Sequence, residues 1–202
     1  MEKKLSPQIK TLRGREIAPY IDKIADLRIT IFREYPYLYE GQGFDERSYL
    51  LMYPQSAQSL LVLVEDGDRV IGAALGLPLM ESMEEIKSLF KAQEIHPEQF
   101  FYLGEVLLLE SYRRQKMGLK MYQQLEQEVK KMGGYEKITF CEIVRSKNDL
   151  KKPFNHRSLD DFWRRQGYTK HPHLAVHFSW REIGEIEQTN HPMVFWIKDL
   201  FG

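Results

Sequence analysis

A strand, a helix and a second strand in the middle of the sequence constrain the fold more than any other feature. Phe100 to Leu109 is an almost continuous apolar run, which predicts a central strand buried on both faces. From Met117 to Met132 apolar residues recur every three or four positions, and Gly133 follows, which predicts an amphipathic helix. Ile138 to Val144 is a second apolar run. This order predicts a crossover between two parallel strands.

The remaining apolar patterns predict elements on both sides of this centre. Leu60 to Val64 and Val70 to Leu77 flank an Asp-Gly turn and predict an antiparallel hairpin. The other predicted elements are a short strand at Ile9 to Leu12, helices at Ile17 to Phe32, Glu46 to Met52 and Glu81 to Ala92, a helix capped by Ser158 and ended by Gly167, and strands at His173 to Arg181 and Met193 to Lys198, joined by a polar connection from Glu182 to Pro192.

Charge and cysteine content narrow the class of protein. The 29 basic and 29 acidic side chains cancel, so no overall field draws the chain to nucleic acid or an anionic membrane. The lone Cys141 cannot form an internal disulfide, and Met1 to Leu5 lacks the apolar stretch of a secretory signal, which favours a cytoplasmic protein. The histidines at 171, 173 and 177 lack the spacing of a metal motif, so we expect no metal site.

Cations gather where the central helix is predicted to begin. A helix N-terminus carries partial positive charge and favours Asp or Glu, yet Arg113, Arg114, Lys116 and Lys120 lie at this end. A bound anion such as a phosphate explains the cluster, with Gly118 letting the backbone approach it closely. The alternative is a solvated basic turn whose repulsion is screened by salt.

The same segment resembles the cofactor-binding motif of the GNAT acetyltransferase superfamily, a strand followed by Arg/Gln-x-x-Gly-x-Gly/Ala and a helix. The matching residues are Arg113-Arg114-Gln115-Lys116-Met117-Gly118. The chain departs from the motif at Lys116, where the family usually has glycine. A second similarity lies downstream in Asp161 to Tyr168, an aromatic residue followed by polar residues, glycine and an aromatic residue. The two motifs cover roughly residues 100 to 170.

The resemblance implies a single GNAT-like α/β domain over residues 1–202. Its central sheet would be mixed and mostly antiparallel, with about seven strands, a parallel pair in the middle and flanking helices. Residues 1–99 would form the acceptor-side half, residues 100–170 the CoA-binding core and residues 171–202 the C-terminal strands. It also implies an N-acetyltransferase that uses acetyl-CoA as co-substrate and passes the acetyl or short acyl group directly to an amine in a ternary complex.

By position, the resemblance assigns the co-substrate to backbone groups at the start of the central helix. The residues implied to bind the pyrophosphate are Arg113, Arg114, Gln115, Lys116, Met117, Gly118, Leu119 and Lys120. Val106, Leu107 and Leu108 match the strand residues that pair with the pantetheine arm, and an amide near Leu108 would meet the oxyanion if the strand is splayed. Asn155 corresponds to an Asn that relatives use near the cofactor.

Glu105 is the candidate general base. It is the sole ionisable residue inside the apolar run, and a carboxylate buried there without a partner is costly, so we expect it to face a cleft. The alternatives are an ion pair with a neighbouring Arg and the binding of a cationic substrate. Trp163 occupies the position where relatives often have the Tyr that protonates the thiolate. Either Trp163 supports the thiolate, or Tyr122, Tyr168 or solvent supplies the proton.

The acceptor, a small-molecule or peptide amine, is expected among the aromatic residues after the first helix. Tyr39 represents this group, whose other members are Tyr35, Tyr37, Phe44 and Tyr49, and packing is the alternative role for all of them. Arg145 either binds a substrate carboxylate or pairs with an acidic neighbour. The alternative function is a regulatory module that binds acyl-CoA with little or no turnover. We expect a monomer or homodimer.

Overall fold

The fold is built on one seven-stranded sheet, in a computed structural model that describes residues 6–201. The expectation about Met1 to Leu5 lies outside the described residues. The strands are β1 (Gln8–Arg13), β2 (Leu60–Asp66), β3 (Arg69–Pro78), β4 (Phe100–Leu108), β5 (Lys137–Ile143), β6 (Thr169–Arg181) and β7 (Gln188–Asp199). Their order is β1-β2-β3-β4-β5-β7-β6, and only the β4–β5 pair is parallel. The predicted mixed sheet with a central parallel pair is confirmed.

Helices cover both faces of this sheet. They are α1 (Ile21–Phe32), α2 (Gly43–Leu50), α3 (Met52–Gln55), α4 (Glu84–Ala92), α5 (Met117–Met132) and α6 (Asp160–Arg165). On β4, Glu105 reaches α1, whereas the Leu108 side chain lies 3.8 Å from the position of a Cβ on Gly118 of α5. Since residues three apart on a strand point to opposite faces, α1 and α5 lie on opposite sides of the sheet. Among the helices of the described residues, none has both the length and the apolar character to cross a membrane.

The predicted boundaries fail where tertiary pairing overrides the local pattern. The first predicted helix begins instead as a 3-10 turn, Gly14–Tyr20, which contains Pro19. The connection predicted from Glu182 to Pro192 is shorter, because β7 already begins at Gln188. Residues 188–190 are polar and exposed, yet they pair with the end of β6. A strand that pairs at the rim of a sheet needs no apolar alternation, so the pattern missed it.

The central parallel pair is short and then diverges. Pairing between β4 and β5 is confined to Phe100–Tyr102 and Lys137–Thr139. Beyond these residues β4 continues its pairing with β3 as far as Leu108, and β5 continues with β7 as far as Ile143. The two strands therefore separate from Leu103 onward. We refer to the space between them as the strand gap.

A bulge in β4 directs Glu105 at the edge of this gap. Glu105 lies opposite Leu75 on β3 and Leu103 lies opposite Gly76, so Gly104 is the extra residue. A Cβ on Gly104 would lie 2.1 Å from the hydroxyl oxygen of the buried Tyr53, so this position has no room for a side chain. The extra residue turns Glu105 to the face of the sheet that α1 covers.

Candidate functional site

The connection from β4 to α5 contains a row of backbone amides without protein partners. At its two ends, Arg113 N donates to Glu110 O and Lys120 N donates to Lys116 O, each at 3.0 Å. Among residues 6–201 no group accepts a hydrogen bond from any of the six amides of residues 114–119. Helix α5 also has no acidic residue in its first turn and no side-chain cap. A helix start with free amides of this kind can bind an anion.

Three cations of this connection, the cation turn (residues 109–120), are also unpaired. Arg114, Lys116 and Lys120 are exposed, and no carboxylate within the described part of the chain forms an ion pair with them. Arg113 differs, because its guanidinium holds both oxygens of Glu34, at 2.5 and 2.9 Å. Its Nε donates to the carbonyl oxygen of Leu108 at 2.8 Å. Arg113 therefore fastens the cation turn to the end of α1, and the other three cations remain available to a ligand.

Lys116 adopts the backbone conformation that glycine adopts most easily. Its φ is 62° and its ψ is 7°, which is the left-handed region, and Arg114 also has a φ of 62°. A residue with a Cβ pays about 1–2 kcal/mol for this conformation. The turn thus keeps the course that a glycine would give it, although the sequence departs from the glycine of the motif at this position.

The main chain of β4 lines one side of the strand gap. Leu109 N donates to Ile71 O on β3 at 3.0 Å, so the alternating groups of Leu108 and Val106 point away from β3. The Leu108 carbonyl, which accepts from Arg113, confirms this direction. The amide of Leu108 therefore faces the gap. Leu107, named with Val106 and Leu108 for the same role, pairs with Ala73 on β3 and directs its main chain the other way.

Glu105 lies in a buried ion cluster and not in an open cleft. Arg28 of α1 donates to Glu105 Oε1 through one terminal nitrogen and to Glu46 Oε2 of α2 through Nε. The three side chains are 13, 2 and 1% exposed in the order Arg28, Glu46, Glu105. Of the alternatives considered for Glu105, the structure shows the ion pair. Its second oxygen, Oε2, is buried and has no hydrogen-bond partner among the described residues.

The surroundings of the carboxylate cluster (Arg28, Glu46 and Glu105) shift the pKa of Glu105 upward. Burial raises the pKa of Glu105, the charge of Arg28 and the nearby Tyr49 hydroxyl oppose that shift, and the negative charge of Glu46 adds to it, so that the pKa lies above its ordinary value. The guanidinium of Arg28 lies 4.5 Å from the Tyr49 ring centre and 4.8 Å from that of Phe32. These two rings pack against the guanidinium, and such buried surroundings strengthen the electrostatic interactions within the cluster.

Trp163 lies inside an aromatic cluster below α5. Its side chain is buried, with its ring centre 4.4 Å from that of Phe140 and 5.7 Å from that of Tyr122. The Tyr122 hydroxyl donates to Glu126, and the Tyr168 hydroxyl is buried and has no partner among residues 6–201. The two phenols named with Trp163 are therefore different, because only that of Tyr168 is uncommitted.

Asn155 and Arg145 lie in the segment that follows β5. Asn155 is exposed, and its side chain forms no hydrogen bond with the residues that the structure describes. Arg145 is fully engaged: it donates to the carbonyl oxygens of Pro36 at 2.6 Å and Tyr37 at 3.1 Å, and it pairs with Glu182 at 2.6 Å. Of the two roles expected for Arg145, the structure shows the pairing with an acidic neighbour.

A cavity of about 450 Å³ lies between the α1–α2 connection and the turn from β6 to β7. Tyr39 and Trp180 form its aromatic wall, with ring centres 6.5 Å apart. Its other lining residues are Glu40, Gln42, Asp45, Ser179, Arg181, Ile186 and Gln188. Arg181 pairs with Glu40 at 3.3 Å, which leaves Asp45 as the uncompensated charge. We refer to this space as the Trp180 cavity.

Tyr39 connects the Trp180 cavity with the carboxylate cluster. Burial and then the adjacent Glu46 raise the pKa of the Tyr39 phenol, which places that phenol against the cluster. Glu46 itself follows Asp45 in α2, and Asp45 lines the cavity. The wall of the cavity and the buried carboxylates are thus neighbours.

Sequence reasoning did not single out Arg28, Glu46 or Glu34. A signal for Arg28 was present, because it follows Ile24 by four residues and precedes Ile31 by three, which puts a cation on the apolar stripe of α1. Glu46 likewise precedes the buried Leu50 by four residues. Two opposite charges at core positions of adjacent helices predict a buried pair. Nothing in the sequence distinguishes Glu34 from other surface acids.

Comparison with known proteins gives a family and a fold. The sequence profile of the acetyltransferase (GNAT) family matches residues 24–168. No curated protein sequence matches. Among solved structures, an aminoglycoside 6'-N-acetyltransferase complexed with coenzyme A is similar with a TM-score of 0.56 at 16% identity, over 96% of this chain and 98% of that chain.

Two further structures are similar over nearly their whole length. An acetyltransferase from Thermus thermophilus has a TM-score of 0.55 at 9% identity, with 97% of this chain and 98% of that chain covered. Arabidopsis thaliana NAA60 in complex with a bisubstrate analogue has a TM-score of 0.58 at 8% identity, with 95 and 98% covered. These likenesses establish a shared fold.

The left-handed conformation of Lys116 predicts an unusual effect of glycine. We expect Lys116→Gly to raise the free energy of unfolding by up to about 1 kcal/mol, because relief of the conformational cost exceeds the entropy that glycine adds to the unfolded chain. Lys120→Gly is the matched control, since the same side chain is removed from helical backbone, and we expect it to lower stability by about 0.5–1 kcal/mol. Urea unfolding of both variants measures the difference. Equal losses in the two variants would contradict the assigned backbone conformation.

Proposed function

Because the chain belongs to the acetyltransferase (GNAT) family, we propose that it transfers an acetyl or other short acyl group from a coenzyme A thioester to an amine. The amine attacks directly while both substrates are bound. Acetyl-CoA is the expected donor. The acceptor occupies the side of the sheet that carries α1 and α2, and the donor enters the strand gap from the side of α5.

The observation that carries this proposal is the cation turn. Six successive amides and three cations at the start of α5, beside the open end of the strand gap, find no acceptor and no carboxylate within residues 6–201. A pyrophosphate needs this combination of convergent N–H groups and positive charge. The residues present therefore fit the diphosphate of coenzyme A. Gly118 adds no side chain that would obstruct its approach.

The strand gap fits the pantetheine arm and the thioester. Val106 and Leu108 present main-chain groups to the gap, so an extended amide-containing arm there is recognised as a strand would be. We propose that the Leu108 amide donates to the thioester carbonyl oxygen and stabilises the negative charge that develops on it. The carbonyl of Leu108 already accepts from Arg113 at 2.8 Å, which holds this amide in place.

Glu105 is the proposed general base. Its free Oε2 accepts a proton from the attacking amine, directly or through one water, and its raised pKa makes it a stronger base than an ordinary Glu. As the new C–N bond forms, the C–S bond breaks and the electron pair leaves with sulfur. Trp163 cannot supply a proton to that thiolate. Tyr168 and solvent remain as donors, since the Tyr122 hydroxyl is committed to Glu126.

The Trp180 cavity is the proposed acceptor site, with Tyr39 in its wall. A volume of about 450 Å³ is in the range of small-molecule pockets. Asp45 and the nearby carboxylate cluster give this region negative charge, and Tyr39 and Trp180 offer aromatic faces to a cation. We therefore propose an acceptor with a second positive charge besides the reacting amine. The similar aminoglycoside 6'-N-acetyltransferase is consistent with an acceptor of this kind.

A second candidate is a module that binds acyl-CoA without turnover. Two observations favour it: Glu105 is buried and engaged by Arg28, and Trp163 stands where a phenol would be needed to protonate the thiolate. This candidate shares the co-substrate site of the first and differs only in chemistry. Release of free thiol separates the two.

The direct test combines calorimetry with a thiol-release assay. We expect acetyl-CoA to bind the purified chain. We also expect thiol release with diamines and aminoglycosides to exceed that with monoamines that carry no second positive charge, because the acceptor region is negatively charged. Binding without release from any amine would establish the regulatory module. An absence of heat with acetyl-CoA and longer acyl-CoA species would contradict both candidates.

Gly118→Glu tests the site of the diphosphate. We expect at least about a tenfold loss of acetyl-CoA affinity, because a like charge near 4 Å from the phosphates repels by several kcal/mol before screening. Gly118→Gln has nearly the same bulk without the charge, and Gln123→Glu places the charge further along α5. From the highest to the lowest acetyl-CoA affinity, calorimetry should rank the variants as Gln123→Glu, then Gly118→Gln, then Gly118→Glu. An unchanged affinity for Gly118→Glu would show that the diphosphate binds elsewhere.

Glu105→Gln tests the base and its pH dependence. We expect kcat to fall by about 10²–10⁴, with acetyl-CoA affinity nearly unchanged. In the wild type, the base must be deprotonated, so kcat/KM falls as the pH drops through the raised pKa of Glu105, above the range of an ordinary Glu. That acidic limb should be absent from the residual activity of the variant. The same limb in both proteins would exclude Glu105 as the base.

A further inference from the structure

A single guanidinium is shared by two buried carboxylates on different elements. Arg28 lies between Glu46 of α2 and Glu105 of β4, and the three groups carry a net charge of −1 when all are ionised. A buried cluster with an uncompensated negative charge is unfavourable unless one member takes up a proton or a cation approaches. The cluster is therefore poised to accept positive charge.

The hydrogen-bond geometry determines which oxygen of Glu105 can accept this positive charge. Arg and a carboxylate often pair through two parallel N–H···O bonds, which would engage both oxygens of Glu105. Here the Nε of Arg28 donates to Glu46, and a single terminal nitrogen serves Glu105 Oε1. Glu105 Oε2 makes no hydrogen bond with residues 6–201, although the Glu105 side chain is only 1% exposed and the Tyr49 hydroxyl lies near enough to lower the pKa of its carboxyl.

The surroundings of Glu105 supply no second cation. Besides Arg28 and Glu46, the titratable groups that face it come from α2, α3, β4, β5 and the connection after α1. They are the phenols of Tyr37, Tyr49, Tyr53 and Tyr102 and the thiol of Cys141. Burial raises the pKa of the thiol to about 12 and that of each phenol, so all five are neutral at ordinary pH. Among the described residues, Arg28 and Glu46 are therefore the only charged groups that shift the pKa of the Glu105 carboxyl.

We propose that Glu46 is a positioning residue, which holds the Nε edge of Arg28, confines the guanidinium to one oxygen of Glu105 and leaves Oε2 to take the proton of the acceptor amine. This inference rests on the proposed role of Glu105 as base. It adds a reason why Glu105 keeps useful basicity although it is paired with Arg28. Glu46 shares the same guanidinium, so the positive charge stabilises the Glu105 carboxylate less than it would alone. The position of Tyr39, against Glu46 and in the wall of the Trp180 cavity, puts this device beside the acceptor.

A merely structural ion cluster makes a different prediction. If Glu46, Arg28 and Glu105 only fasten α1 and α2 to β4, Glu46 acts on the titration of Glu105 through its charge alone, so Glu46→Asp, which keeps the charge, leaves the Glu105 midpoint in place. If Glu46 positions Arg28, the shorter side chain of Glu46→Asp releases the Nε edge and frees the guanidinium to engage both oxygens of Glu105. The titration of the Glu105 carboxyl carbon therefore distinguishes the two roles.

The experiment is a carbon-13 NMR titration of the glutamate side-chain carboxyl groups of the full chain from pH 4 to 9, without substrates. The Glu105 signal is assigned by its loss in Glu105→Gln. We expect its midpoint in the wild type to lie above the ordinary value of ~4.3, and to move down by about 1–3 units in Glu46→Asp, which keeps the charge but not the reach of Glu46. Glu85→Asp, which makes the same change on the exposed surface of α4, is the matched control and should leave the midpoint unchanged.

Each outcome decides the matter. A Glu105 midpoint that stays in place or rises in folded Glu46→Asp overturns the proposal. If Glu46→Asp does not fold by circular dichroism, the wild type decides: the Glu105 midpoint should lie above the ordinary range, and an ordinary midpoint overturns the proposal. With an active amine, the acidic limb of kcat/KM should shift with the NMR midpoint. If no amine is acetylated, the proposed function fails while the NMR result still tests the pairing.

Discussion

The early end of the pairing between β4 and β5 is the constraint on which the rest of the structure depends. Only three residue pairs join these strands, after which each keeps its other neighbour and turns away from its parallel partner. Main-chain groups in the middle of a sheet are normally satisfied by the next strand. Within the described residues Val106 and Leu108 lack that strand, so the gap has room for a ligand with amide groups of its own. In the proposed function the helix start at the end of the gap meets the charged part of the same ligand.

Charge is separated within a chain that is neutral as a whole. The unpaired cations of the cation turn are exposed on the side of α5, whereas the carboxylate cluster is buried on the side of α1. In the proposed function the two fields act on different molecules, an anionic donor and a cationic acceptor, which meet at the strand gap. Net charge alone therefore says little about the partners of this protein, because the sheet isolates the two signs from each other.

The sequence predicted the features that follow from apolar spacing. The apolar runs of β4 and β5 and the apolar stripe of α5 are sufficient to infer the crossover, since each element must bury its apolar residues against the others. The left-handed backbone of Lys116 could not be predicted from the sequence, because a lysine rarely has a positive φ. An ion pair of Glu105 with an arginine is among the sequence-based alternatives, but the sequence does not show that the partner is Arg28, which lies 77 residues away on α1. The start of β7 was missed because its first residues are polar.

Arg113 links two regions that are often treated as separate modules. It binds Glu34 at the end of α1 and the carbonyl of Leu108, while its own backbone belongs to the cation turn. Glu34 directly precedes the aromatic segment that leads to the Trp180 cavity. An engineer who grafts a new segment after α1 in order to change the acceptor would therefore also disturb the donor site unless this bridge is rebuilt. Diversification of the two sites in evolution is subject to the same coupling.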